Sequence, residues 1–553
     1  MNQKTISYIY ILFFLLFFEG VFSQSLRLKI ISKDSIENIF LSKIVFQKKH
    51  LKETSIYLEI DTISTQLKQF GFFTNSIDTV IKKDTLYIAR FILGKKTEKA
   101  IIKIYKGLKI QDSRFKIQDN KITISIQQLP TFLASISHQL EQEGKSFSEV
   151  KLKNIQLKKN ILFANLNIHL SKERTVDKIL VKGYEHFPKS YLKYFLNIKK
   201  RVIFNQKKIK NISASINSLN FVSEIKPLEV LFSKDSTLLY LYLKKEARNS
   251  FEGLISFASK KKGKGLLFNG YVDLKLTNLL DYGESFSLYW NSLGKEKQEL
   301  KLTSNIPYVF GSAFSIKNSF TLYKQDSTFI SSYFTGDISY LINRKIELSI
   351  TLKKEESNNL LQYTNNIQSF KNSFYGIQFL YKKPKNDVFN SNTFFISINP
   401  SFGNRTTSKQ KTSQFKINFE SSFLWSINNR NSIYIRNKTG FLNSNFYLEN
   451  ELYRIGGIHS IRGFNEQSIF THQYSFFNTE YRYSTSQNSY IYTITDFGLF
   501  KYTTQHNFLS IGLGYLFRLN NTQINIGYAL GKTSNNFNKL DNSKILIQIL
   551  NYF

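Results

Sequence analysis

Between residues 51 and 70 the apolar positions Ile56, Ile60, Ile63, Leu67 and Phe70 stand three or four apart, and Gly71 ends the pattern. That spacing predicts a helix with one buried face. Two short apolar runs follow at 77–81 and 86–93, parted by Lys82-Lys83-Asp84, and predict paired strands. The same order returns twice, as a helical pattern at 132–140 before Gly144 with strands at 147–155 and 161–170, and as a helix at 209–219 with strands at 222–232 and 238–243. The helix-end leucines Leu67, Leu140 and Leu219 lie 140 − 67 = 73 and 219 − 140 = 79 residues apart. A repeat of that size is a tandem of small α+β domains, not a solenoid unit. The third copy adds an opening strand at 176–183 and a first helix at 188–196, while the middle copy shows no first helix.

Beyond about residue 248 helical periodicity disappears. Phe415, Ile417, Phe419, Phe423 and Trp425 alternate with Lys416, Asn418, Glu420 and Ser422, and Leu509, Ile511, Leu513, Tyr515 and Phe517 with Ser510, Gly512, Gly514 and Arg518. Val272, Leu274 and Leu276 alternate in the same way with Tyr271, Asp273 and Lys275. Large apolar residues on one face and small or charged ones on the other suit strands between lipid and a lumen. About sixteen such strands fit the 553 − 248 = 305 residues, at roughly nineteen residues per strand with its connection, a normal density for a membrane barrel. The fold class expected is therefore α+β repeats followed by an all-β transmembrane barrel of about sixteen antiparallel strands. A soluble sandwich or propeller is the competing architecture. The aromatic share of 15% and the terminal strand 545–553, ending in Phe553, favour the barrel.

Composition narrows the function. Lys and Arg exceed Asp and Glu by 76 − 40 = 36, a surplus that would suggest nucleic acid in a cytosolic protein. The N-terminus argues otherwise. Lys4, an apolar run from Ile9 to Phe18 and the small residues before Gln24 read as a secretory signal peptide at 1–23. The basic surface then suits the phosphate-bearing headgroups of membrane lipids, and no nucleic acid is expected. Cys is absent, so no thiolate metal site or cysteine nucleophile exists. His169 and His186 show no metal-ligand spacing, and His459-Ser460 are adjacent residues that point apart in an extended chain. Gly527–Thr533 is one residue short of a phosphate loop. The expectation is no enzyme, no cofactor and no metal.

One segment of the barrel half does not read as a strand. Tyr453-Arg454-Ile455-Gly456-Gly457-Ile458-His459-Ser460-Ile461-Arg462-Gly463-Phe464 lies in a long connection, 442–473. Its glycines suggest tight turns and close packing. An Arg folded into a barrel requires a carboxylate. Alternation places Glu480 and Arg482 on the lumen side of one strand and Asp496 on the lumen side of the next. A turn near Gln487 makes Glu480 and Asp496 diagonal neighbours, roughly 7–8 Å apart. Two carboxylates that close repel unless a cation lies between them, and the donor fork of Arg462 suits both.

These residues carry a resemblance. Ile461-Arg462-Gly463-Phe464 resembles the lumenal-loop signature of the BamA/TamA family of outer-membrane protein assembly factors, and Glu480 and Asp496 match the strand residues that hold that loop. Leu276–Glu284 resembles the family's early barrel segment. The repeats look like its periplasmic POTRA domains, with Gly183 and Phe187-Pro188 fitting the third. Leu519-Asn520-Asn521-Thr522 departs from the family's Pro-Gly turn, and the last strand lacks its usual glycine.

The domains expected are POTRA-like repeats at 24–106, 107–172 and 173–248, then an outer-membrane barrel at 249–553. The resemblance implies a bacterial outer-membrane protein with its N-terminal domains in the periplasm. It would accept unfolded outer-membrane or secreted polypeptide on the POTRA domains and insert it through an openable seam, with periplasmic accessory proteins as further partners. The lumenal lock would comprise Gly456, Gly457, Arg462, Gly463, Phe464, Glu480 and Asp496. The seam would place Phe251, Ile255 and Phe257 of the first strand beside Ile545, Ile547, Ile549 and Phe553 of the last. A dedicated two-partner-type secretion pore is the alternative, and a passive porin or adhesin a third.

Overall fold

The computed structural model describes residues 25–553 except 106, 199–200, 220, 235, 247, 260–265, 294–296, 362–365, 386, 388 and 534–541, and of 254–259, 266–269, 293 and 542 the backbone alone. The signal peptide expected at 1–23 lies outside the described residues. The first two repeats form one compact unit, and the third folds with the barrel into another.

The first repeat is a four-stranded sheet in which Leu26–Ile31 runs parallel to Leu86–Ile92, flanked by Lys49–His50 and Ser76–Lys83. Its helix Glu53–Gln69 buries Ile56, Ile60, Ile63 and Leu67, the face read from the spacing, while Phe70 stays 37% exposed. A short helix that the spacing did not reveal, Ser35–Leu41, starts where the Asp34 side chain accepts the Ile36 amide at 2.7 Å. In the second repeat Lys99–Lys103 runs parallel to Ile161–His169, between Lys121–Ser125 and Glu149–Lys158, under the helix Leu129–Gln142. The boundary expected at 106 is therefore corrected to the gap between residues 93 and 99. Lys99–Lys103 is too short to stand out by alternation, and only its ladder assigns it to the second sheet.

The third repeat keeps the parallel pair, Lys178–Lys182 with Thr237–Lys245. The strand expected at 222–232 is two strands, Val222–Glu224 and Glu229–Phe232. Pro227 sits between them and has no N–H to give a ladder. The helix expected at 188–196 shrinks to a single wide turn, Tyr191–Phe195.

Sixteen strands from Ser250–Ser259 to Asn542–Tyr552 close into an antiparallel barrel. Alternation sets its two faces. Ile350, Tyr375, Ile377 and Phe402 are each more than 60% exposed, whereas Ser339, Ser349, Ser357, Ser401 and Asn372 are buried. In a membrane the exposed set meets acyl chains, and closure leaves no spanning strand without a partner.

The segment Asn278–Glu284 joins the second and third barrel strands and docks the third repeat. Glu284 accepts the Leu280 and Tyr282 amides at 2.7 and 3.1 Å, closing a tight turn. Asp281 then faces the repeat, accepting Tyr184 Oη at 2.5 Å and Lys245 Nζ at 2.6 Å, and Asn278 Nδ2 donates to the same Tyr184 hydroxyl. Tyr308, on the next turn, packs edge-on to Tyr191 and stacks on Tyr194.

Candidate functional site: a lumenal loop and a short seam

The chain leaves the strand Asn431–Asn443 and does not return to the wall until Gln473–Ser486. Between them the loop closes a small ribbon of its own, Tyr453–Ile455 against Ile469–Thr471, whose far end carries the glycine-rich tip. Gly456 and Gly457 have φ of +110° and +99°, so the tip turns sharply where side chains are disfavoured. At Gly463 (φ +88°) a Cβ would come 2.7 Å from the Gly531 nitrogen and 2.8 Å from Ser510 Oγ, so only glycine lets the tip lie against the wall. Phe464 packs edge-on to Phe508 among Ile455, Ile461 and Phe476.

The register of the wall brings the charges together. Asn478 stands opposite Asp496 and Thr479 opposite Thr495, which places Glu480 and Asp496 diagonally on the lumen face. Arg462 enters between them. Its Nη2 and Nε donate to the two Asp496 oxygens at 2.5 and 3.0 Å, its backbone amide donates to Asp496 Oδ2 at 2.8 Å, and its Nη1 donates to Glu480. Arg462 and Glu480 are each 7% exposed and Asp496 is fully buried. The second Glu480 oxygen takes Arg482 Nε at 2.8 Å. Arg482 lies over the rings of Tyr434 and Tyr490 and gives Nη1 to Asn390 at 2.8 Å. Four alternating charges thus meet in one dry site, where each polar edge has a partner and removing any one strands another.

Sequence reasoning missed the other half of the loop's attachment. Arg405 and Glu451 pair with both side chains inaccessible to water, and Glu451 also accepts Gln414 Nε2 at 3.0 Å and the Leu448 amide at 2.9 Å. The Arg405 guanidinium covers the Phe446 ring at 3.9 Å. Asn450 donates to Ser357 at 2.8 Å, and Arg454 lies 3.6 Å over the Tyr323 ring. A signal was present. Arg405 continues the small lumen-side set Ser401 and Gly403, and Glu451 is an acid in a loop already read as folded inward. A buried Arg needs a carboxylate at 405 as much as at 462, and Glu451 is the acid at hand.

At the seam the first and last strands pair, among the described residues, only at Ser250 opposite Tyr552 and Phe251 opposite Asn551. The Phe553 amide also donates to Asn249 O at 2.9 Å, and Gln548 Nε2 to Glu252 at 3.1 Å. Phe251, Ile545, Ile547, Ile549 and Phe553 are 42–72% exposed on the outer face. Ile255 and Phe257 belong to the first strand, opposite Gly270 and Phe268 of the second, and their side chains lie outside the described residues. The turn Leu519–Thr522, where Pro-Gly was absent, uses Asn520 at φ +50° instead. Gly527–Thr533 lies within the strand Thr522–Thr533. No group of three or more His, Cys, Asp or Glu among the described residues is placed to hold a metal.

No family model matches the sequence, and no curated protein matches it. Solved structures do. CdiB from Escherichia coli is 13% identical, with a TM-score of 0.51, and the match covers 89% of this chain and 98% of that one. CdiB from Acinetobacter baumannii is 15% identical with the same TM-score, over 78% and 83% of the two chains. BamA from Haemophilus ducreyi lacking POTRA domains 1–3 is 13% identical over 77% and 93%, with a TM-score of 0.47. Likeness at this identity is a statement about fold. The chain shares that fold, α+β repeats ahead of a closed sixteen-strand antiparallel barrel, as its resemblance implied.

Proposed function

We propose that the protein resides in a bacterial outer membrane with its repeats in the periplasm, and that it inserts or translocates unfolded polypeptide without an enzymatic step. The observation that carries this reading is the seam. Among the described residues, fifteen of the sixteen junctions hold ladders of eight or more opposed residues, and the sixteenth holds two. Backbone pairs unmade at one junction are a template onto which an incoming strand adds by hydrogen bonds alone, with no code in its side chains. A passive porin or adhesin has no use for a weak junction. Whether the clients are many membrane barrels or one secreted partner turns on how the client leaves, and the insertion reading rests on the junction opening sideways.

The test is a crosslink. Phe251 and Asn551 face each other across the seam, at about the Cβ separation of 4.5–5.5 Å expected for opposed residues. The native chain has no Cys to interfere. Phe251→Cys with Asn551→Cys, oxidised, is expected to abolish client insertion while leaving a folded barrel, with recovery on reduction. Full activity in verified crosslinked protein excludes lateral opening. Export of a single secreted partner through the crosslinked barrel supports the dedicated pore instead.

A further inference from the structure

Where the third repeat docks, its Tyr191, Leu219 and Phe221 roof a cavity of 360 Å³ whose floor is the near end of the barrel lumen. Among the described residues, the charged ones lining it are Lys317, Arg344, Lys345, Lys382 and Glu347, a balance of 4 − 1 = +3. Glu347 is 4% exposed and already taken by Lys317. Arg344 gives one nitrogen to Ser215 and keeps its other donors, and Lys382 makes no ion pair among the described residues. Asp337 stands opposite Lys317 but lines a separate cavity deeper in the lumen. Glu347 answers one of the four cations, and the three in excess repel one another in a half-enclosed space, so an arriving anion relieves that repulsion at the same time as it forms charge-assisted hydrogen bonds.

We propose that this cavity binds an acidic segment of the polypeptide in transit, its carboxylates on Lys382, Lys345 and Arg344 and an adjacent apolar side chain under the aromatic roof. The proposal rests on the function above and names the chemistry of what enters. A lipid phosphate is the weaker occupant. Lys317, Glu347 and Lys382 belong to the lumen-facing sets of their strands, whereas the neighbouring Phe314, Leu348 and Phe379 face outward. The cavity therefore opens to the lumen and the repeat, away from acyl chains.

The probe is a rhodamine-labelled nonapeptide carrying three Glu and one Phe, with a twin in which Gln replaces each Glu, titrated onto the full chain in detergent micelles. The acidic peptide is expected to bind about tenfold more tightly than its twin at low salt, the worth of one charge-assisted hydrogen bond. Half a molar salt should remove the difference. Lys345→Gln with Lys382→Gln should remove it as well, in protein whose heat-modifiability matches wild type. Should that variant fail to fold, competition by an unlabelled acidic peptide against an unlabelled lysine peptide on wild type decides the same point. Equal binding of the twins, an unchanged preference in the folded variant, or displacement by short-chain phosphatidylglycerol with no peptide binding overturns the proposal. Crosslinking clients to the repeats reads separately: peptide binding lost with client capture retained removes this site and spares the function, and the reverse removes the function and spares the site.

Discussion

Two junctions of the same barrel differ sharply. Between Asn392–Thr407 and Lys411–Ser426 the ladder runs unbroken from Phe394 opposite Phe423 to Thr406 opposite Lys411. Between the first and last strands it stops, among the described residues, after two pairs. Backbone chemistry is the same at both, so the strength of a junction here is set by how far two strands overlap. The well-paired wall is also where the loop stem is anchored, through Arg405 and Glu451. The tip reaches the other way, across Glu480 and Asp496 to Ser510 and Gly531, on the strands that lead to the seam. One loop therefore ties the strong wall to the weak side, and losing its anchors should have unequal consequences.

The largest effect is expected at the tip. Arg462→Ala strands Asp496 in a dry site and leaves Glu480 to Arg482 alone, at about 3–5 kcal/mol. Urea unfolding in micelles, followed by the fluorescence of Trp290 and Trp425, should report that loss, and limited proteolysis should cut the loop. Adding Asp496→Asn should partly restore stability, because Glu480 still pairs with Arg482 and no carboxylate is then stranded. Arg462→Lys should restore less than wild type, since an ammonium lacks the planar fork. Wild-type stability and protease resistance in Arg462→Ala would mean that the tip is held by Phe464 and Gly463 packing alone.

Arg405→Leu should cost somewhat less, about 3 kcal/mol, because Glu451 keeps the Gln414 and Leu448 donors. The discriminating measurement is where protease cuts. Cleavage near Phe446 with an intact tip would show that the two anchors act independently, whereas cleavage throughout would show one cooperative loop.

The smallest effect belongs to the dock of the third repeat. At Asp281 burial favours the neutral acid, but the hydrogen bonds from Lys245 and Tyr184 outweigh it and hold the carboxyl below its ordinary value. A depressed carboxyl adds stability above its unfolded value near 3.8, and that contribution is lost as pH falls through the folded value. Asp281→Asn should therefore weaken docking by under about 1 kcal/mol at neutral pH, water screening being strong at this edge. Hydrogen exchange of Lys178–Lys182 should rise slightly while the seam is unchanged. A docking stability that does not fall as pH drops from about 5 to about 2 would remove Asp281 from the dock.

Much of this was legible in the chain because two periodicities carry it. Period two gave both faces of the barrel and put Glu480, Arg482 and Asp496 on the lumen side before any contact was known. The helical period gave Ile56, Ile60, Ile63 and Leu67. What escaped depends on partners remote in sequence or on segments too short to show a period. Lys99–Lys103 is defined only by its ladder, and the stop of the seam after Phe251 is a property of register. Arg405 and Glu451 lie 46 residues apart, and although the loop that carries Glu451 reads as folded inward, no hairpin register links it to the strand of Arg405.

The course of the loop also has an electrical consequence. Sixteen strands are enough to leave an aqueous channel when nothing fills it. Here a folded peptide crosses that bore, held at Tyr323, Ser357 and Arg405 on one wall and at Glu480 and Asp496 on another. At rest the molecule should behave as an insulator in a planar bilayer, with conductance far below that of an empty barrel of its size, so a cell could carry many copies without leaking ions. Large steady currents from the wild-type protein would contradict it.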